Sequence, residues 1–153
     1  MMMNIIDSKI KEHGFSNHNP SDRFSIAVIV KNLANQYLIM QRSYQDTDGA
    51  GLWDIVGGSV DSTDPHQCAI RELEEEANLK VEQLDFFKEK VYYCPWINDK
   101  KLRLIFDLKT DKEPKVSFEH EQFKWIYIDE LNNYEFFLDY LKDAIFEHHQ
   151  QNQ

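Results

Sequence analysis

The stretch running from Asp64-Pro65-His66-Gln67 to Asn78-Leu79 constrains this chain more than any other. Asp64 can cap backbone amides, Pro65 suits the first helical position, and Gln67 stands where a capping-box partner reaches back. At the far end Asn78 tolerates a left-handed C-cap, and Leu79 can fold back onto Leu73. Between the caps, Ala69, Ile70, Leu73 and Ala77 form a core-facing stripe. A helix is therefore predicted over Pro65–Ala77. Gly57-Gly58, upstream of it, predicts a tight turn feeding a short loop.

This helix carries an unusual density of carboxylates. Glu72, Glu75 and Glu76 are spaced i, i+3 and i+4 and share one face, whereas Glu74 points elsewhere. Like charges so placed weaken an isolated helix by about 0.2–0.5 kcal/mol per pair. A hard divalent cation converts that repulsion into coordination, and Mg²⁺, with Mn²⁺ as the alternative, prefers carboxylate oxygens. Gly57 and Gly58 let backbone groups approach the same metal or a phosphate without a side chain in the way. Arg71 would then orient a glutamate or hold the turn through a bidentate ion pair. Most Glu-rich helix faces are simply solvated surface. Here the spacing, the caps and the glycine pair occur together, which separates this helix from that background.

The charge balance agrees. Net charge is −10, from 27 acidic and 17 basic residues, which argues against a nucleic-acid binder and suits a protein that recruits cations for an anionic ligand. With 42% apolar and 13% aromatic residues in 153, one domain with a real core is expected. Cys68 and Cys94 lack CxxC spacing, so free thiols are expected in place of a disulfide framework or a zinc site. No secretory signal or window of ~20 apolar residues is present, so a cytoplasmic protein without a membrane span is expected.

Along the chain, residues 1–22 are predicted as an arm, 23–148 as the domain and 149–153 as a polar tail. Phe24–Val30 is apolar on both faces, as an interior strand requires, and Tyr37–Arg42 returns as a second strand. Trp53–Val56, Val81–Cys94, Leu102–Leu108 and Phe123–Ile128 are further strands, with Asp129-Glu130-Leu131 starting a helical turn. A last helix places Tyr134, Phe137, Leu138, Leu141 and Ile145 in one stripe. The expected fold class is α/β: a mixed sheet with helices packed on its faces.

Residues Arg71-Glu72-Leu73-Glu74-Glu75-Glu76-Ala77-Asn78-Leu79, with the glycines before them, resemble the Nudix box of the Nudix (MutT-like) hydrolase family. The resemblance covers roughly residues 23–146 and implies an α/β/α sandwich and Mg²⁺-dependent hydrolysis of a nucleoside diphosphate-containing small molecule. It implies Glu72, Glu75 and Glu76 as metal ligands, a Gly57 carbonyl on the metal, and Arg71 as their structural partner. It also implies a catalytic base in the loop before the last strand, where Glu119 and Glu121 stand. The chain departs from the family pattern at Thr63, which occupies the loop-glutamate position, at Asn78 in place of a glycine, and in a box loop one residue short.

Around this core, Arg42 at a strand end can contact phosphate, and Tyr44, Trp53 and Trp96 can stack on a base. His120, between the two loop glutamates, is expected on the surface. Three functions follow: a hydrolase of a diphosphate linkage, a nucleotide-binding or regulatory domain with weak turnover, and an interaction module with an acidic surface. Monomer and homodimer both remain open.

Overall fold

The computed structural model describes Ser8, Lys9, Glu12 and residues 23–61, 64–94 and 97–152. Thr63, Trp96 and most of the arm lie outside the described residues. The elements are β1 (Phe24–Lys31), β2 (Tyr37–Arg42), β3 (Trp53–Asp54), β4 (Val56–Ser59), α1 (Pro65–Ala77), β5 (Asp85–Cys94), β6 (Asp99–Lys109), β7 (His120–Ile126), a 3₁₀ turn (Ile128–Asn133) and α2 (Asp139–Gln151).

The sheet is mixed. Its main path runs β3-β2-β1-β6-β5, with β4 added to β1 and β7 to β2. β1 is parallel to β6 and antiparallel to β4, and it is buried along its whole length. Alternation along β1 sorts its side chains between two cores. Phe24, Ile26, Val28 and Val30 pack with Cys68, Ala69, Leu73 and Ala77 of α1. Ala27 and Ile29 face the other way, onto Leu141, Ala144 and Ile145 of α2. One sheet between two helices is the α/β/α sandwich that the resemblance implies.

The caps of α1 form as their residue types dictate. Asp64 accepts a hydrogen bond from the Gln67 amide at 3.1 Å, and Pro65 opens the helix. Asn78 takes the left-handed conformation at φ 56°, with its amide on the Glu74 carbonyl, and Leu79 joins Leu73 in the core.

Three expectations change. Gly57 and Gly58 do not make a turn: both lie within β4, hydrogen-bonded to β1 opposite Ala27 and Ile26. Glycine is required there by crowding. A Cβ on Gly57 would meet the Ile26 carbonyl oxygen at 2.7 Å, and one on Gly58 would meet Glu72 Cδ at 2.9 Å. Next, Tyr134, Phe137 and Leu138 precede α2 instead of lining it. Their segment runs beside the sheet edge, where Trp53 N–H donates to the Glu135 carbonyl and Phe137 N–H to the Trp53 carbonyl, each at 2.9 Å. Satisfying that edge backbone outweighs the helical periodicity. Finally, α2 continues through Gln151, into the stretch read as a tail, because His148 is a core residue.

Candidate active site

α1 lies against β4 at the point where the two glycines remove side chains, and this brings its carboxylates onto the strand. Glu72 packs on Gly58, and Glu76 Oε1 stands 3.5 Å from the Gly57 amide, at the long limit of a hydrogen bond. Glu76 is 4% exposed. Burial first, then hydrogen bonding and repulsion from Glu72, with Asp54 and Glu119 adding to it, push its carboxyl far above the usual carboxylate range.

Arg71 is paired with three carboxylates. Its guanidinium lies 3.0 Å from Asp61, 3.2 Å from Glu72 and 3.6 Å from Glu75. The Arg71 hydrogen bond holds Asp61 below its ordinary pKa. Asp61 was not singled out from the sequence, and it ties the box loop to the helix. Glu75 is exposed and turned to Arg71, so the structure brings Glu72 and Glu76 together and leaves Glu75 outside the pair.

Beyond Glu76 a cavity of about 480 Å³ opens. Asp46, Asp54, Glu76 and Glu119 line it against Arg42, whose guanidinium is taken up by Asp54 at 3.1 Å and Asp46 at 3.6 Å. Arg42 also stacks on Phe137, 4.2 Å from the ring centre. The bulge where Gln41 and Arg42 meet Gln122 and His120 aims both Arg42 and His120 at the cavity. His120 is therefore in the wall and not on the surface, and burial lowers its pKa. The two candidate bases part company: Glu119 borders the cavity, whereas Glu121 accepts a hydrogen bond from the Tyr44 amide at 3.0 Å.

Among the aromatic candidates, Trp53 is a core residue stacked edge-on against Tyr134, and Tyr44 is exposed outside the cavity lining. Phe118, passed over in the sequence, stands on the rim 95% exposed. Its only sequence signal is its place next to Glu119.

Among the described residues no three His, Cys, Asp or Glu side chains are already drawn into a coordination shell. The electrostatics nonetheless fit a cation. The buried Glu76 carboxyl, beside Glu72, faces a carboxylate-rich cavity whose lining arginine is already paired. Such a lining repels a phosphate unless a cation stands between them.

Comparisons with known proteins bear on the family and the fold. The family described as NUDIX domain matches residues 22–145. An asymmetrical bis(5'-nucleosyl)-tetraphosphatase from Sus scrofa is 30% identical over 127 residues, covering 79% of this chain and 83% of its own. An 8-oxo-dGTP diphosphatase from Buchnera aphidicola is 33% identical over 87 residues, covering 56% of this chain and 63% of its own. Among solved structures, the MutT protein from Methanosarcina mazei superposes with a TM-score of 0.73 at 22% identity, covering 86% of this chain and 95% of its own. The NUDIX domain of Shewanella oneidensis NrtR, in complex with ADP ribose, reaches a TM-score of 0.73 at 14% identity, over 94% of this chain and 99% of its own.

Proposed function

Because this chain belongs to the NUDIX family and is a hydrolase, we propose that it uses Mg²⁺ to cleave a phosphoanhydride bond in a nucleoside polyphosphate. Hydrolases of this family generally use divalent metal ions; Mg²⁺ is our assignment, with Mn²⁺ as the substitute. The observation that carries the proposal is the buried Glu76 carboxyl beside Glu72, opening onto an anionic cavity.

Glu72 and Glu76 would hold the cation, with Glu75 and the Gly57 carbonyl completing the set. A cation so held would polarise the phosphoryl oxygens and lower the pKa of a bound water. Glu119, on the cavity wall, accepts the proton as water forms its bond to phosphorus and the bridging oxygen leaves. Arg42 binds a terminal phosphate, exchanging part of its contact with Asp46 for the substrate. Asp61 and Arg71 keep Glu72 oriented while the charge on the site changes.

The relatives act on dinucleoside tetraphosphates and on an oxidised nucleoside triphosphate, so these two substrate classes head the panel. Nucleotide sugars and ADP-ribose follow. Incubation with Mg²⁺ and identification of the products tests the assignment. A nucleoside monophosphate or diphosphate released only with the metal supports it. A ligand that raises the melting temperature without being cleaved points to a binding domain instead.

A further inference from the structure

His120 stands in the cavity wall with its side chain 8% exposed. Its Nδ1 is buried and has no hydrogen-bond partner among the described residues. Its Nε2 faces Glu76 Oε1 at 3.9 Å, too far for a hydrogen bond. Buried polar groups are ordinarily paired. Two other histidines of this chain obey that rule: His66 Nε2 accepts from the Leu84 amide at 2.9 Å, and His148 is bonded through both ring nitrogens. His120 is not placed by packing alone, because Asp54, Glu76 and Glu119 share the wall around it.

The separation has a meaning for coordination. Two donors on one divalent cation, with bonds of about 2.0–2.2 Å, stand roughly 3 Å apart at a right angle and roughly 4.2 Å apart when opposite. The 3.9 Å between His120 Nε2 and Glu76 Oε1 falls inside that interval. Glu76 and His120 come from separate elements, α1 and the first residue of β7.

We propose that His120 Nε2 is a nitrogen ligand to the cation held by Glu76, so that the site binds Mn²⁺ or Co²⁺ more tightly than Mg²⁺. The inference rests on the cation site of the proposed function and adds a donor of a different element to it. Oxygen-only sites suit Mg²⁺, whereas an imidazole shifts preference toward the first-row transition ions. The wild-type enzyme therefore works with Mg²⁺ but is loaded at lower concentration by Mn²⁺.

Pulsed electron paramagnetic resonance on the full chain loaded with Mn²⁺ tests this without any turnover. Expected is a ¹⁴N coupling that becomes a ¹⁵N coupling when histidine is isotopically labelled, and that disappears in His120→Gln. In calorimetric titration the same variant should bind Mn²⁺ about tenfold more weakly, with Mg²⁺ affinity changed by less than about twofold. His120→Asn serves if His120→Gln lowers the melting temperature. Mn²⁺ bound to the wild type with no histidine coupling, or a coupling that survives both variants, overturns the role of His120 and leaves the carboxylate site standing. No Mn²⁺ binding at all, or binding unchanged in Glu76→Gln, overturns the carboxylate site and the nitrogen ligand together.

Discussion

Burying the Glu76 carboxyl carries a cost that depends on pH. Its folded-state pKa is raised by burial and by Glu72, so the folded form holds a proton that the unfolded form gives up at the usual 4.5. Stability is therefore lost as pH rises above the ordinary carboxylate range toward the raised value. In metal-free buffer, the melting temperature of the wild type should fall relative to Glu76→Gln between about pH 5 and pH 8, leaving the variant roughly 2–8 °C the more stable at the upper end. Identical profiles for the two proteins would contradict a raised Glu76 pKa. At the rim, Phe118 has no packing role to lose, being 95% exposed. If a nucleobase stacks on it, Phe118→Ala should raise KM about tenfold with kcat and melting temperature little changed, since such stacking contributes about 1–3 kcal/mol per base. An unchanged KM would assign that ring to the surface.

At the scale of elements, the β4–α1 contact is the working unit. Much of α1 was legible in the sequence because its determinants are local: Asp64 and Pro65 at one end, Asn78 and Leu79 at the other, and a stripe between them. The glycines were legible as important but not as to why. Their need arises from Ile26 and Glu72, distant in sequence, and no turn is involved. Gly58→Ala should therefore act on chemistry more than on folding. Its new methyl displaces Glu72, and we expect kcat to fall about 10–100-fold while the urea midpoint moves little. His120 and Asp61 escaped sequence reading for a similar reason. One is aimed at the cavity by a bulge, the other is held, still exposed, by an ion pair with Arg71, and neither feature has a local signature.

For the whole molecule, the two faces of the sheet divide the labour. The α1 face carries the candidate site, and the α2 face carries a buried polar clamp. His148 Nδ1 is paired with the Tyr37 hydroxyl and Nε2 with Asp107, each at 2.8 Å. Those bonds fasten the last helix to β2 and β6, which is why the C-terminal histidines, unremarkable in sequence, matter to the fold. His148→Ala should cost about 2–4 kcal/mol in urea unfolding, by leaving buried polar groups unpaired, with kcat unchanged in the folded fraction. A loss of kcat without loss of stability would contradict that division.

The central claim is that Glu72 and Glu76 form the cation site of a nucleoside polyphosphate hydrolase. The most direct test is the initial rate of dinucleoside tetraphosphate or nucleoside triphosphate cleavage as a function of Mg²⁺, for the wild type and for Glu76→Gln. Saturable Mg²⁺-dependent release of a nucleoside phosphate by the wild type is expected, with kcat about 10²–10⁴-fold lower in a variant that melts no earlier. Turnover in Glu76→Gln equal to that of the wild type at every Mg²⁺ concentration would contradict the claim.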